Sequence, residues 1–192
     1  DIFDFAEARK KKSAKFLGLL TFRDPVRESA KDAIRRIGAL GVRTVIVTGD
    51  HLGTAKTVAE TLGFALGPNT LLDGAEVDNL GDAGLRRRLT TASVIARTTP
   101  EQKLRIARLF RESGQVVAMT GDGVNDAPAL READIGIAVG SGSDVAKASA
   151  DLVILDNDFA TVVAAIVEGR KIIQNVRKVI VYLLSDGLDE LL

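Results

Sequence analysis

The 192-residue chain contains no cysteine and no tryptophan, and it has one histidine and one tyrosine. The absence of cysteine excludes disulfide frameworks, thiolate zinc sites and cysteine nucleophiles. With His51 as the single histidine, a histidine-based metal cage cannot form. The 26 lysines and arginines balance the 26 aspartates and glutamates. Neutral charge and few aromatic side chains argue against a dedicated nucleic-acid-binding protein.

Long apolar runs are also missing. No stretch of 18 apolar residues occurs, so we expect no complete membrane-spanning helix. The first residues lack the basic region and apolar core of a signal peptide. Because the sequence starts at Asp1 without a methionine and stops in an apolar run at Leu192, we expect a piece of a longer protein. Its composition, 46% hydrophobic and 27% charged, is typical of a globular domain.

Short apolar runs alternate with helical patterns through the chain. The runs predict strands at 42–47, 94–96, 116–119, 135–139 and 152–155. The patterns predict helices at 26–40, 54–62, 100–110 and 161–184. Such alternation predicts an α/β fold, with a parallel sheet covered by helices on both faces. The Gly- and Asp-rich stretch 65–83 is expected to be a variable loop with at most one short helix.

Two predicted strands end in the same tripeptide, Thr-Gly-Asp, at Thr48–Asp50 and Thr120–Asp122. Ligands of parallel α/β sheets bind at the carboxyl ends of strands, where glycine lets backbone N–H groups approach an anionic oxygen. Asp122, Asn125 and Asp126 place two carboxylates and an amide around one point, a donor set that suits Mg²⁺. Alternatively, the two aspartates only cap the helix that begins near Asn125.

Three basic residues allow two interpretations. Lys103 lies in the first turn of the helix that Pro100 opens, and beside clustered carboxylates a lysine can neutralise a phosphoryl group. Alternatively, it is a solvated surface lysine. With either role, we expect its replacement hardly to change the free energy of unfolding. Arg27 and Arg97 have the same ambiguity, and His51 is expected to be an ordinary residue after a turn.

The segment TGDGVNDAPAL at Thr120–Leu130 resembles the hinge and magnesium signature of the P-type ion-transporting ATPases, members of the haloacid dehalogenase-like superfamily. Other motifs of that family occur in the same order: DPVR at Asp24–Arg27, TGDH at Thr48–His51 and ARTTPEQK at Ala96–Lys103. The stretch 151–175 is similar to the segment that leads toward the fifth membrane helix. TGDH, EGRKIIQN and YLLS are more like the calcium-pump-like class than the heavy-metal class.

This resemblance implies roles for individual residues. Asp122 would ligate Mg²⁺, with Asp126 as a second candidate ligand, while Asn125 and Asp126 would hold the catalytic loop. The remaining implied residues are Thr48, Gly49 and Lys103 around the transferred phosphoryl group, and Asp24, Arg27, Asp50 and Arg97 around the ribose and phosphates of ATP.

The fold implied by the resemblance is a three-layer, Rossmann-like parallel sheet of the haloacid dehalogenase-like type. In that family the nucleophilic aspartate lies in the motif DKTGT at the end of the central strand, between the strands that end here at Thr48 and Thr120. The sequence contains no DKTGT, so we expect a sheet that lacks this strand. Residues 1–23 would end a nucleotide-binding domain, 24–178 would form a partial phosphorylation domain, and 179–192 would begin a stalk or transmembrane helix.

The implied function is that of a fragment of an ATP-driven cation pump at the cytoplasmic face of a membrane, with Mg²⁺ as cofactor and ATP as substrate. Its partners would be the missing upstream half of the pump and the membrane, reached through downstream helices, and not nucleic acid. The chain alone is expected to be inactive. Two alternatives are a stand-alone phosphatase of the same superfamily and an inactive module that binds nucleotide or Mg²⁺.

Overall fold

The computed structural model describes Gly18 and residues 25–189, with side chains up to residue 186. Asp24, one of the predicted nucleotide-binding residues, lies outside the described residues. The strands are β1 (Ile46–Val47), β2 (Leu71–Asp73), β3 (Val94–Ala96), β4 (Ala118–Gly121), β5 (Ile135–Val139) and β6 (Leu152–Ile154). The helices are α1 (Glu28–Ala39), α2 (Leu52–Leu62), α3 (Gly74–Asn79), α4 (Asp82–Leu89), α5 (Pro100–Glu112), α6 (Ala127–Glu132), α7 (Asp144–Ser149) and α8 (Phe159–Asp189), with a 3-10 turn at Val124–Asp126.

The strands form two three-stranded parallel sheets, with the orders β1-β3-β2 and β4-β5-β6. Ile46 is in register with Val94 in the first sheet, and Met119 with Gly136 in the second. β1 and β4 are therefore both edge strands, and the two line one common cavity. No strand among the described residues lies between them. This is the arrangement predicted for a sheet that lacks its central strand.

Helices cover both faces of each sheet, which confirms the three-layer α/β prediction. Because successive side chains of a strand point to opposite faces, Ile95 packs with residues of α3, α4 and α5, whereas Val94 packs with residues of α2. In the second sheet, Ile137 packs with α1 and α8, and Ala138 with α6 and α7. Each sheet is thus buried on two sides, as expected of parallel strands.

The stretch 65–83 is not the variable loop that its composition predicted. It contains β2, α3 and the start of α4, and its Leu72 and Val77 are fully buried. Gly74 supplies the reason, because a Cβ atom at this position would lie only 2.3 Å from the carbonyl oxygen of Arg97. Glycine is required here for the close approach of two backbone segments, so this glycine indicates tight packing rather than an irregular loop.

Helix α8 continues without interruption from Phe159 to Asp189, across the predicted boundary at residue 178. Its first turns pack against α1 through Val162 and Val163, whereas the side chains of residues 168–186 are exposed. No helix within the described part of the chain is long and apolar enough to cross a membrane. The large exposed apolar side chains of α8 are Ile172, Ile173, Val176, Val179, Ile180, Val181, Tyr182, Leu183 and Leu184.

Candidate functional site

A cavity of about 330 Å³ lies where β1 and β4 end. The predicted site residues Thr48, Lys103, Asp122 and Asp126 all line it, although they come from three separate segments of the sequence. Apolar side chains of β5, β6 and α8 form much of the remaining wall. The rule that ligands bind at the carboxyl ends of parallel strands predicted that these residues lie at one edge of the fold, and a cavity lies at that edge.

The start of α5 positions Lys103. The Thr99 hydroxyl accepts a hydrogen bond from the Gln102 N–H at 3.3 Å, and the Thr99 N–H donates to Gln102 Oε1 at 3.1 Å. This reciprocal pair is a capping box, and Pro100 occupies the first helical position, where its missing N–H costs nothing. Gln102 also donates from Nε2 to the carbonyl of Gly74 at 3.0 Å. The first turn of α5 is thus fixed, and Lys103 extends from it into the cavity.

Lys103 and Asp126 form an ion pair that is largely buried. Lys103 Nζ lies 2.6 Å from Asp126 Oδ1, and the two side chains are 15% and 11% exposed. The other carboxylate oxygen, Oδ2, accepts the N–H groups of Asp122 at 3.3 Å and Gly123 at 3.1 Å. The interpretation of Lys103 as a solvated surface lysine is therefore wrong. Because the pair is largely buried, replacement of Lys103 should lower the stability of the fold, which corrects the expectation that it would hardly change.

The ionisation of Asp126 follows from these contacts. Burial alone raises the pKa of Asp126, but the hydrogen bond from Lys103 and the N–H groups of Gly123 and Asp122 outweigh it and hold the pKa below its ordinary value. The carboxylate is therefore charged at neutral pH. Because protein donors engage both of its oxygens, the geometry favours Asp126 as the residue that holds the loop over its alternative role as a metal ligand.

Asp122, by contrast, is exposed and lines the cavity, and its carboxylate accepts no hydrogen bond from the described residues. Mg²⁺ usually binds one or two carboxylates and completes its coordination with waters and phosphate oxygens. One available carboxylate fits this pattern as part of a site. The described residues contain no cluster of three or more acidic or histidine side chains that could hold a metal alone. Asn125 lies on the adjacent 3-10 turn but does not line the cavity.

The turn after β1 is held by threonines. Thr98, which is buried, donates both its N–H and its hydroxyl to the carbonyl of Thr48, each at 3.0 Å. The Thr48 hydroxyl accepts the N–H of Asp50 at 3.1 Å. A Cβ at Gly49 would lie 3.6 Å from the Thr98 carbonyl, an ordinary contact, so packing alone does not require glycine there. No local pattern indicates this role of Thr98, because it depends on the pairing of β1 with β3.

Arg97 and Asp50, two predicted nucleotide-binding residues, meet beside this turn. The Arg97 N–H donates to the carbonyl of Asp50 at 2.9 Å, and Arg97 Nη2 lies 2.8 Å from Nδ1 of His51. The Arg97 Nε is 3.9 Å from the Asp73 carboxylate. Arg97 has φ 55°, a left-handed conformation that is uncommon for arginine. His51 thus has a specific partner that the sequence did not indicate.

Arg27, the fourth predicted nucleotide-binding residue, contacts a different part of the fold. Its Nη1 donates to the carbonyl of Asn157 at 2.9 Å, in the turn between β6 and α8. Asn157 and Asp158 both line the cavity, although neither was among the predicted site residues. The strand-end rule that identified Thr48 and Asp122 applies equally to this turn and would have found it.

The chain is similar to several known proteins. Residues 3–134 match the family model for haloacid dehalogenase-like hydrolases. A calcium-transporting ATPase of Bacillus cereus is 44% identical over 178 residues, covering 92% of this chain and 20% of that protein. A calcium-transporting ATPase of Yarrowia lipolytica is 47% identical over 176 residues, covering 90% of this chain and 19% of that protein. A solved zinc-transporting PIB-type ATPase aligns with a TM-score of 0.64 and 33% identity, over 81% of this chain and 21% of that one.

The chain spans about a fifth of the length of these curated relatives. Their names agree with the resemblance to the calcium-pump-like class, and the solved structure agrees with the predicted fold. The family model covers well over half of the chain, including the ends of both β1 and β4. The chain therefore belongs to the haloacid dehalogenase-like hydrolase family and is homologous to the P-type cation-transporting ATPases.

Proposed function

We propose that this chain supplies the Mg²⁺-binding and phosphoryl-stabilising residues of an ATP-driven cation pump. The observation that carries the proposal is the convergence of Thr48, Lys103 and Asp122 on one cavity at the ends of β1 and β4. The relatives named as calcium-transporting ATPases support cation transport as the activity of the complete protein. ATP is then the substrate and Mg²⁺ the cofactor.

Each residue has a distinct task in this proposal. The Thr48 oxygen already accepts the N–H of Asp50, so its own hydrogen is available to a phosphoryl oxygen, beside the N–H of Gly49. Lys103, whose side chain is 15% exposed, brings a fixed cation to the cavity, where it stabilises negative charge on the phosphoryl group. Asp122 would hold Mg²⁺, which would supply positive charge beside the phosphate, and Asp126 keeps the Asp122–Gly123 peptide in place.

The nucleophile belongs to the DKTGT motif, which this chain lacks. In the complete reaction its aspartate oxygen bonds to the γ-phosphorus of ATP as the bond to the β–γ bridging oxygen breaks and ADP leaves. Water then hydrolyses the aspartyl phosphate and releases inorganic phosphate. We infer that this aspartate arrives on a strand between β1 and β4, an inference supported by the two edge strands on either side of the cavity.

The surrounding assembly follows from the same proposal. Asp50 and Arg97, which meet beside the β1 turn, would contact the nucleotide together with Asp24, while residues 1–23 would lead from the nucleotide-binding domain. The upstream half of the pump would supply DKTGT. Residues 24–178 would be the phosphorylation domain at the cytoplasmic face, and 179–192 would continue toward the membrane.

Acid quenching after incubation with γ-labelled ATP and Mg²⁺ tests the assignment of the nucleophile. The chain alone should retain no hydroxylamine-labile label, because electrostatic helpers cannot replace the atom that forms the bond. A label that disappears in Asp126→Asn or Asp50→Asn would contradict the assignment. In the complete pump, Lys103→Ala should slow phosphoenzyme turnover by roughly 10²-fold, whereas Lys56→Ala, on the exposed side of α2, should have little effect.

A titration with Mg²⁺ tests the metal role separately. In the chain alone we expect weak binding, seen as backbone NMR shifts around Gly121–Asp126, because the phosphate ligand is missing. Asp122→Asn should abolish these shifts, and Asp144→Asn, which removes a fully exposed carboxylate on α7, should preserve them. Equal shifts in Asp122→Asn and the unmodified chain would refute the role of Asp122.

A further inference from the structure

We propose that Arg27 is a positioning residue that holds Asp122 in place through the turn 156–158 and the loop 140–143. Arg27 touches neither Asp122 nor the cavity, so this role differs from the nucleotide contact that the sequence suggested. Its functional consequence rests on the proposed binding of Mg²⁺ by Asp122. The structural relay itself can be tested without any metal.

The first step of the relay joins Arg27 to Asn157. Arg27 directly precedes α1, and its guanidinium reaches 130 residues along the chain to donate to the Asn157 carbonyl. Asn157 has φ 54°, and within the described part of the chain only Arg97 shares this left-handed conformation among non-glycine residues. Asparagine tolerates it better than most residues. In this conformation the Asn157 carbonyl meets Arg27 while its side chain reaches the neighbouring loop after β5.

The second step joins Asn157 to the loop 140–143. Asn157 Oδ1 accepts the N–H of Ser141 at 3.0 Å, and the Gly140 N–H donates to the carbonyl of Ile154 at 2.7 Å. A Cβ at Gly140 would lie 2.9 Å from the carbonyl oxygen of Leu155. The loop after β5 is therefore packed directly on the chain that leaves β6, and a displacement of one segment should displace the other.

The third step joins this loop to Asp122. The Ser143 N–H donates to the Asp122 carbonyl at 2.8 Å, and a Cβ at Gly142 would lie 3.0 Å from that same oxygen. On its other side, the Asp122 N–H donates to Asp126 Oδ2 at 3.3 Å. Both backbone groups of Asp122 are thus held while its carboxylate stays available. A metal ligand needs this combination, because a preformed position reduces the ordering that accompanies binding.

Amide hydrogen exchange in the 192-residue chain, without metal, tests the relay. In Arg27→Gln, the protection of the Ser141 and Ser143 amides should fall about three- to tenfold, the scale of one lost hydrogen bond, relative to the core amide of Ile95. The matched control is Arg35→Gln, which also removes one arginine charge but breaks a pair with Asp32 within α1. That variant should leave both amides unchanged.

Two substitutions at Asn157 test whether Arg27 acts on the loop 140–143 through the Asn157 side chain or only fixes the turn 156–158. Asn157→Gly keeps the left-handed backbone and the carbonyl but loses Oδ1, so Ser141 and Ser143 should lose protection as in Arg27→Gln. Asn157→Asp keeps an acceptor for the Ser141 N–H and should restore protection.

Two results would refute the relay. One is a change in Arg27→Gln confined to residues 155–161, and the other is an equal response to Arg35→Gln. If either result occurs while the unmodified chain shows the Mg²⁺-induced shifts around Asp122, the relay is wrong and the proposed function stands. If the relay is confirmed but the unmodified chain shows no Mg²⁺-induced shifts, the relay stands and the proposed metal role of Asp122 is wrong.

Discussion

The ion pair between Lys103 and Asp126 stabilises the fold, and the same residues are proposed to act in catalysis. Their side chains are 15% and 11% exposed, and each neutralises the other at 2.6 Å. Removing one partner from such a pair leaves a charge in a poorly solvated place, which costs more than the pair itself contributes. Motif residues of this kind should therefore affect folding and catalysis together.

The substitution Lys103→Ala should lower the free energy of unfolding by about 2–4 kcal/mol, because Asp126 would remain buried without its cation. Urea denaturation of the 192-residue chain measures this change. Lys56→Ala is the control, since Lys56 is 51% exposed and lies 3.8 Å from Glu60, and its effect should stay below about 0.5 kcal/mol. A difference between the two variants of less than about 1 kcal/mol would contradict the buried ion pair.

The same pair predicts part of the acid sensitivity. The pKa of Asp126 is lower in the folded chain than in the unfolded one, so its contribution to stability is present above the unfolded pKa and disappears as the pH falls through the folded pKa. The loss should therefore begin near about pH 4 and continue below it. Asp126→Asn should reduce the slope of stability against pH there by up to about 1.4 kcal/mol per pH unit.

Denaturant melts between pH 2 and about pH 6 would show this difference in slope. Several exposed carboxylates also have a lowered pKa, among them Asp134 through a backbone hydrogen bond and Asp156 through a side-chain hydrogen bond. Because these groups also lose their contribution to stability in acid, the Asp126→Asn variant should still be destabilised at low pH, but less steeply. An unchanged slope in Asp126→Asn would show that Asp126 titrates alike in the folded and unfolded chains.

At the scale of elements, the junction between β4 and the 3-10 turn depends on glycine. A Cβ at Gly121 would lie 2.5 Å from Cβ of Asp126, so the end of the strand and the turn approach each other more closely than any other residue allows. This approach brings the Asp126 carboxylate under the N–H groups of Asp122 and Gly123. The local backbone therefore determines the geometry of the site.

Gly121→Ala should destabilise the chain by about 1–3 kcal/mol, because the added methyl must push Asp126 away from its donors. Thermal or urea unfolding gives the magnitude, and the NMR shifts of the Asp122 and Gly123 amides should change with it. Gly53→Ala provides the comparison. It lies within α2 with no atom within 4 Å of an added Cβ, so the same change there should stabilise by about 0.5–1 kcal/mol.

Helix α5 connects the two sheets. Near its middle, Arg105 donates to the carbonyls of Val77 and Leu80, which belong with the first sheet. At its end, Arg111 contacts the carboxylates of Glu132 and Asp134 beside the second sheet. The helix that carries Lys103 is thus attached on both sides, which keeps the ends of β1 and β4 facing one cavity without direct pairing between the strands.

At the scale of the whole molecule, the separation of the two sheets has a measurable consequence. The N–H groups of Ile46 and Thr48 donate to the carbonyls of Ser93 and Ile95, in and just before β3. By the alternation of a parallel ladder, the N–H of Val47 points away from β3. In the second sheet, the Ile135 N–H donates to Val117, and the same alternation directs the N–H of Thr120 away from β5. Both of these groups lie on the edges that border the cavity.

We expect the Val47 and Thr120 amides to exchange at least about 10²-fold faster than the Thr48 amide, which is bonded to Ile95. Hydrogen exchange followed by NMR would measure all three in one experiment. Slow exchange at Val47 and Thr120 would mean that another segment pairs with the two edges in solution, and the proposed position of the missing strand would then be wrong.

Much of the fold follows from local signals. The strands 94–96 and 135–139 were predicted residue for residue, because short apolar runs between breakers leave little choice. Helix α5 begins at the predicted Pro100, since Thr99 and Gln102 form its cap within four residues of sequence. The prediction of a variable loop at 65–83 was wrong, because the backbone of Arg97, remote in sequence, packs so close to residue 74 that only glycine fits there.

The candidate site also has features that the sequence predicts and features that only the packing reveals. The sequence by itself determined which residue types converge, because Thr48, Lys103, Asp122 and Asp126 all belong to strand ends or a helix start whose relative position a parallel α/β fold prescribes. Only the tertiary structure decided that Lys103 is buried against Asp126 and that Arg27 contacts Asn157. The physical reason is that burial and side-chain pairing depend on how distant elements pack, and no local periodicity or composition records that packing.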